Sequence, residues 1–267
     1  MRSAILLACG LAFAPRPTSA AEVKLIVGAD KLLRPGARLF FGELHGTEET
    51  PAFVGEMARL ASKLSPVRVG LEIVDEEQPA IDRYLTSTGS EADRKALVAG
   101  KFWTDAFQDG RRSRAMVGLL ESMRALKHGG ADVGVFAFDG HFEAKDDRDL
   151  GMATRAHAAI TLAPKAIVLL LAGNLHARKT QGQLKQTWMA MRLVERGVEL
   201  ITLDARYAGG SAWFCTGPTP SDCGPHPLLD GEAHPRGIVL DGKRDDGYDG
   251  VFDVGRATAS PPAHPAH

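Results

Sequence analysis

The sequence predicts one α/β domain: a mixed, mostly parallel sheet with helices on both faces, followed by a β-rich C-terminal extension. The first reason is that short apolar runs alternate with stretches of helical spacing through most of the chain. The second is that these runs are almost wholly apolar, as in parallel strands that helices cover on both faces. The third is that 267 residues, 44% of them hydrophobic, suit a single domain with a full core.

The strands and helices of the alternating region can be assigned in order. Pro51 falls in the first turn of one predicted helix, where proline is tolerated, and Gly129 ends another. The predicted strands are an edge strand at Val23–Val27, then Arg38–Gly42, Val67–Ile73, Val133–Phe138, Ile167–Ala172 and Val198–Leu203. The predicted helices are Glu48–Leu64, Pro79–Leu85, Glu91–Ala99, Arg111–His128, Leu150–Leu162 and Gln183–Arg196. The extension is predicted from β-like runs at Ala212–Cys215, Gly237–Leu240 and Val251–Val254.

The two ends of the chain have a composition different from the rest. A charged Met1–Arg2, an apolar stretch to Ala14 and small residues up to Ala21 are typical of a signal peptide over residues 1–21. We therefore expect a periplasmic or secreted protein whose domain covers residues 22–259, with a disordered Pro/Ala/His tail at 260–267. Cys9 lies in a sequence that loosely resembles a lipoprotein box. We expect membrane contact only if this cysteine is lipidated.

The cysteine content and the net charge further limit the kind of protein this can be. Removal of the signal peptide leaves Cys215 and Cys223, and in an oxidising compartment we expect a local disulfide between them. The alternatives are two unpaired thiols, or a metal pair for which His226 is the nearby candidate. The net charge of −1, without a basic stripe, excludes a typical nucleic-acid-binding surface.

Two histidines, His45 and His176, each follow an apolar run at a Gly-x-x-His spacing. Ligands of parallel α/β sheets bind beyond the carboxyl ends of the strands, which is where both histidines are expected. Glu43 lies two residues before His45 and would share its side of an extended chain, where a carboxylate can orient an imidazole. The alternative is a helix-capping Glu beside a solvated His. A third Gly-x-x-His, ending at His234, follows no strand and is interpreted as chance.

Further polar side chains end the other predicted strands. Glu72 interrupts an apolar strand end, where an unpaired carboxylate is costly, so we expect a metal, a cation or a polar site beside it. The alternative is a salt bridge with Arg83 or Arg178. The remaining candidates for ligand binding follow the third and fourth runs and are Asp139, His141, Asn174 and Arg178, the last as a possible anion-binding group.

Several enzyme classes lack their motifs here. The chain contains no Gly-x-Ser-x-Gly elbow, no Walker loop, no Gly-x-Gly-x-x-Gly fingerprint and no His-Glu-x-x-His helix. Serine hydrolases of the elbow type, nucleotide-binding proteins and zincins are thereby disfavoured.

Four segments in matching order resemble the ChaN-like haem-binding uptake proteins, which belong to a superfamily with the erythromycin esterases and the TIKI/TraB proteins. Each segment is short, and their order, from about Arg38 to Leu203, carries the resemblance. The segments are Phe41–Gly46, Gly70–Leu85, Arg148–Ala153 and Ala172–Arg178.

The resemblance implies two kinds of function. ChaN-like members imply binding of haem, or of a related small-molecule ligand, for iron uptake. Resemblance to the erythromycin esterases implies a hydrolase in which His45 activates water. Resemblance to the TIKI proteins implies a variant of this hydrolase assisted by a divalent metal, for which the possible ligands are Glu43, His45, Glu72 and His176. An exported interaction protein without catalysis is the third hypothesis. The residues carried over are Glu43, His45, Glu72 and His176, supported by Asp149 and Arg178; none of the three tyrosines, Tyr84, Tyr207 and Tyr248, is identified as a haem ligand.

Overall fold

The computed structural model describes residues 26–140, 147–241 and 245–264, and within them the chain forms one eight-stranded sheet. The strands are β1 Arg38–Glu43, β2 Val67–Val74, β3 Val133–Asp139, β4 Ile167–Gly173, β5 Ile201–Cys215, β6 Cys223–Leu228, β7 Gly237–Leu240 and β8 Gly250–Ala257. Seven of them lie in the order β3-β2-β4-β1-β5-β8-β7, and β6 pairs with the far end of β5. All pairs are parallel except β5–β6 and β7–β8, so the predicted mixed, mostly parallel sheet is confirmed.

Helices connect the parallel strands, as parallel pairing requires. They are α1 Ala29–Leu32, α2 Glu49–Ala61, α3 Gln78–Thr86, α4 Glu91–Leu97, α5 Lys101–Thr104, α6 Arg114–His128, α7 Arg148–Leu162 and α8 Met189–Glu195. Ser113 caps α6 by accepting a hydrogen bond from the N–H of Met116, and the carboxylate of Asp147 does the same for α7.

The central strands are buried on both faces because alternate residues enter two separate cores. Leu39 and Phe41 of β1 pack with α2, α3 and α6 on one face. Phe40, between them, packs with α7 and α8 on the other. This arrangement explains why the runs are apolar without alternation, and it leaves only the strand ends to carry polar groups.

Three elements differ from the sequence prediction. Only Met189–Glu195 of the predicted helix Gln183–Arg196 is α-helical, after an isolated 3-10 turn at Gly182–Leu184. The predicted strand Val198–Leu203 begins at Ile201 and continues to Cys215, where it includes the separately predicted Ala212–Cys215. The C-terminal runs are strands of the same sheet, and β6 was missed because proline alternates along it.

The ends of the domain also differ from expectation. Val27 forms a single bridge with Gly237, while residues 1–25, including Cys9 and the predicted signal peptide, lie outside the described residues. Disorder was expected from residue 260 onward, yet Ser260 is buried and the N–H of Ala263 donates to Arg112. Among the described residues, no helix is both long and apolar enough to cross a membrane.

Cys215 and Cys223 form the expected disulfide, at the start of the β5–β6 hairpin. Replacing both cysteines with serine should lower the free energy of unfolding by roughly 2–3 kcal/mol. Without the short disulfide-closed loop, the unfolded chain gains conformational entropy. Urea unfolding with and without reductant measures this change. Reductant should shift the midpoint of the native protein and leave the double variant unchanged; equal midpoints in all four samples would contradict the prediction.

Candidate active site

Four neighbouring strands bring polar groups to one edge of the sheet. β3, β2, β4 and β1 are adjacent and parallel, so their carboxyl ends meet there. The three carboxylates at this edge are only 2–3% exposed, which requires that each has a partner. The groups delivered are Glu43 and His45 by β1, Glu72 by β2, Asp139 by β3, and Gly173 and His176 by β4.

The first pair in the site joins His45 to Glu43. Nδ1 of His45 lies 3.0 Å from Oε1 of Glu43. The turn that follows β1 is fixed to β5, because the N–H of Leu44 donates to the hydroxyl of Tyr207 at 3.2 Å and that hydroxyl also bonds Thr50. The side chain of His45 is 21% exposed and that of Glu43 is 2% exposed, so solvent reaches the pair through the histidine.

The second pair joins His176 to Asp149, from the first turn of α7. Nδ1 of His176 lies 2.7 Å from Oδ1 of Asp149, which also accepts from the N–H of Met189 at 2.7 Å. Arg148 Nη1 lies 3.2 Å from Nε2 of His176. Since arginine can only donate, Nε2 is an acceptor here and the ring proton is on Nδ1, facing Asp149. The pair therefore has a defined tautomer.

Glu72 lies between the two pairs. Its Oε2 is 3.4 Å from Nε2 of His45 and accepts from the N–H of Gly173 at 2.7 Å. Its Oε1 accepts from Arg148 Nη2 at 2.6 Å and from Arg111 Nη1 at 3.3 Å. Glu72 thus contacts His45 directly, whereas its Oε1 lies 3.9 Å from Nε2 of His176 and is joined to that ring through Arg148.

Arg111 and Arg148 join Glu72 to the other buried carboxylate, Asp139. Oδ2 of Asp139 accepts from both guanidinium groups, at 2.9 Å and 2.6 Å. Asp109 orients Arg111 by accepting from its Nε at 2.9 Å. The result is a buried network in which two arginines neutralise the carboxylates of Glu72 and Asp139.

The β5–β6 hairpin contacts the turns that carry the site residues through the backbone of Trp213. The N–H of Trp213 donates to the carbonyl of Gly46, directly after His45, at 2.9 Å. Gly46 and Gly110 both have positive φ, 76° and 94°, and both pack on the carbonyl of Trp213, which a β-carbon at either position would approach to 2.0 or 2.4 Å. The turns that carry His45 and Arg111 are therefore stacked on the hairpin.

The charges in the site follow from burial and pairing. Burial lowers the pKa of His45, but the charge of Glu72 and hydrogen bonds to both glutamates outweigh it and raise this pKa to about 10. Burial alone would raise the pKa of Glu72, whereas the charge of His45, its hydrogen bond to Glu72 and the charge of Arg111 hold this pKa well below its usual range. Burial raises the pKa of Glu43, against the effect of its bond to His45. At neutral pH the site thus holds an imidazolium beside an ionised Glu72.

This ion pair predicts that the fold loses stability as pH rises into the alkaline range. The pKa of His45 is about 10 in the folded protein, against 6.5 for an ordinary histidine. A raised pKa stabilises the folded state fully below the unfolded value, and this contribution, on the order of several kcal/mol, is lost as pH rises through the folded value. Urea unfolding of the native protein and His45→Gln across this range should show their stability difference shrinking with pH. A difference that is constant with pH would contradict the prediction.

The donor set at Glu43, His45, Glu72 and His176 does not fit a divalent metal. Nε2 of His176 already accepts from Arg148, and both oxygens of Glu72 accept from protein donors. A cation bound there would displace these donors and lie beside two guanidinium groups. Among the described residues, no group of three or more His, Cys, Asp or Glu side chains is placed to hold a metal ion.

No protein-family model and no curated protein matches the chain, but solved structures do. A mutant of the erythromycin esterase EreC in its open conformation superimposes with a TM-score of 0.65 at 12% identity, over 88% of this chain and 94% of that chain. The chain has the fold of an erythromycin esterase. A Bacillus cereus protein gives a TM-score of 0.64 at 11% identity, over 92% and 94% of the two chains. A succinoglycan biosynthesis protein gives 0.58 at 10% identity, over 84% and 89%.

The structure brings together most of the predicted site residues, but not all. Glu43, His45, Glu72, His176 and their neighbours Asp139 and Asp149 form one network. Arg178 lies apart, because the 3-10 turn at Asn174–Ala177 directs it to the carbonyl of Asp246. Asn174 is exposed and its carbonyl accepts from Tyr248, and His141 lies outside the described residues.

The sequence prediction missed Arg111 and Arg148, the two cations of the site. Arg111 was assigned to the start of a helix, but α6 begins at Arg114 and leaves Arg111 in the preceding turn. Arg148 stands in one of the segments that carry the family resemblance, yet no role was given to it. The buried Glu72 did signal that cations were needed, although the salt-bridge partners considered, Arg83 and Arg178, were the wrong ones.

Proposed function

We propose that this protein is a metal-independent hydrolase of the erythromycin esterase type, in which His45 activates water for attack on an acyl group. The observation that carries the proposal is the position of Glu72 between two carboxylate–imidazole pairs, one in direct contact and one joined through Arg148. The fold shared with an erythromycin esterase adds support for ester hydrolysis by analogy only, since function depends on the site rather than on the fold.

Each group has a role that its contacts suit. His45 Nε2 takes a proton from water, and Glu43 at its Nδ1 orients the ring and stabilises the cation that forms. The hydroxide oxygen bonds to the acyl carbon, and the carbonyl electron pair moves to the oxygen, beside the guanidinium of Arg148 or Arg111. Collapse of this intermediate breaks the ester C–O bond, and the leaving alkoxide takes from His45 the proton that came from water and departs as the alcohol. Arg148 and Arg111 thus replace Arg178, for which the sequence suggested this role.

This mechanism predicts that kcat/KM rises with pH. A general base must be neutral, and His45 is a cation at neutral pH in the free protein because its pKa is about 10. We expect kcat/KM to increase about tenfold per pH unit until it levels off near that pKa. A pH–rate profile of p-nitrophenyl ester hydrolysis measures this, with buffer-only blanks at each pH. A profile that is flat or falling between neutral pH and the pKa of His45 would exclude this histidine as the base.

Haem binding after export remains the second candidate, and its support is the sequence resemblance. The three tyrosines give it no added support: Tyr84 bonds Glu121, Tyr207 bonds Thr50 and Tyr248 bonds the carbonyl of Asn174. His45 and His176 both hold carboxylates at Nδ1, and a haem iron at Nε2 would have to displace Glu72 or Arg148.

One set of measurements separates the hypotheses. We would assay purified protein and His45→Gln on short-chain p-nitrophenyl esters with and without EDTA, and titrate both with haem in the Soret band. Turnover that resists EDTA and is lost in His45→Gln supports the metal-independent hydrolase. Turnover lost with EDTA would overturn metal independence, and a stoichiometric Soret shift without turnover would favour haem. If neither ester turnover nor haem binding were detected, the hypothesis of a non-catalytic interaction protein would remain.

A further inference from the structure

A cavity of about 410 Å³ lies against the arginine pair of the site. It shares Arg111, Arg148 and Asp139 with the active-site network. A molecule in the cavity would therefore contact Arg148, whose guanidinium group also contacts Glu72 and His176. Its charged lining comprises four cations and two carboxylates, namely Lys101, Arg111, Arg112, Arg148, Asp105 and Asp139.

The two carboxylates of the lining are already covered by donors. Oδ1 of Asp139 accepts from Arg148 Nε and from the N–H of Gly140, while Oδ2 accepts from both site arginines. Asp105 accepts from the N–H of Phe107. Asp139 is therefore neutralised by two arginines, and Asp105 has the guanidinium of Arg112 beside it at 3.7 Å.

Several cationic donors of the lining retain free hydrogen-bonding capacity. Arg112 is held by the carbonyls of Phe102 and Phe107 and by Asp109, and within the described ranges its Nη2 comes no closer than 3.7 Å to a carboxylate, that of Asp105. Arg148 Nη1 carries two hydrogens, and its one partner among the described residues is His176. Lys101, at the first position of α5, is exposed on the same rim.

We propose that this cavity binds a carboxylate or phosphate group of the substrate, so that the preferred substrates are esters whose acyl part carries an anionic group. The proposal rests on the hydrolase function for its second half, whereas anion binding by the cavity stands independently. Arg148 contacts both the cavity and the two imidazole pairs, and it would hold the anion at one end of the acyl chain and the scissile carbonyl at the other.

Binding is tested without turnover. Calorimetric titration with glutarate and with inorganic phosphate, at constant ionic strength, should show saturable binding. Lys101→Gln should weaken it by up to about fivefold, as expected for loss of one exposed charge. Lys165→Gln, an exposed lysine that precedes β4 at the opposite edge of the sheet, is the matched control and should bind like the native protein. A preference for glutarate or for phosphate identifies which anion the cavity suits.

Substrate preference is tested on two esters of equal length, mono-p-nitrophenyl glutarate and p-nitrophenyl valerate. We expect a higher kcat/KM for the glutarate ester than for the valerate ester, an advantage that falls with added salt and in Lys101→Gln but is retained in Lys165→Gln. Anion binding without hydrolysis of either ester would overturn the proposed function and leave the anion site standing. Equal hydrolysis of both esters without anion binding would overturn the anion site alone.

Discussion

Glu72→Gln should strongly reduce hydrolysis and lower the free energy of unfolding by about 3–5 kcal/mol, the range expected when one partner of a buried ion pair is removed. The amide cannot accept from Arg111, Arg148 and the N–H of Gly173 as a carboxylate does, and its own NH₂ would face one of these donors. His45 would also lose the charge that raises its pKa, so the pH at which kcat/KM levels off should fall, and the two proteins are compared on their plateaus. We expect kcat/KM to fall at least a hundredfold when it is measured at a temperature at which the variant is fully folded.

The measurement is urea unfolding together with the ester assay, run beside Glu195→Gln. Glu195 is exposed on α8, so the same chemical change there should leave both quantities unchanged. If Glu72→Gln were as stable as this control, the network of arginines around Glu72 would not be the structural centre of the site.

His45→Ala should lower kcat/KM by roughly 10²–10⁴-fold, the range of general acid–base catalysis, and His176→Ala should lower it by less, because His176 acts through the position of Arg148. The kcat/KM of the double variant should be little lower than that of His45→Ala, because both imidazoles act on the same centre through Glu72 and Arg148. His128→Ala, at the exposed end of α6, is the matched control and should retain full activity.

A double-mutant cycle on the ester assay measures this coupling. Additive losses would show that the two histidines act independently, and an unchanged rate in His176→Ala would confine the catalytic machinery to the first pair. Thermal unfolding of each variant separates a loss of chemistry from a loss of folded protein.

The strand ends were predictable because their signals are local. Glu43 and His45 are two residues apart at the end of an apolar run, and Glu72 is a carboxylate within another, where burial demands a partner. The chain direction at parallel strand ends then places such groups at one edge. The family resemblance pointed to the same positions, while the fold followed from the alternation of apolar runs and helical stretches.

The cations of the site were not predictable in this way, since their contacts span long stretches of sequence. Arg111 meets Glu72 across 39 residues, and Arg148 meets it across 76. Arg178 was chosen because it is close to His176 in sequence, but a single 3-10 turn directs it elsewhere. Likewise, the end of β5 depends on its pairing with β6, where prolines hide the strand pattern.

The strand order has a consequence for how the chain folds. β1 and β2 pair with β4, each in register from Val168 onward, and β4 is the last of the three in sequence. Until Ile167–Gly173 enters between them, both strands have an open edge, and Glu72 lacks the N–H of Gly173. Closing such long loops is the slow part of folding. Formation of the centre of the sheet and assembly of the Glu/His/Arg network are therefore a single event, and a chain stalled before β4 has neither.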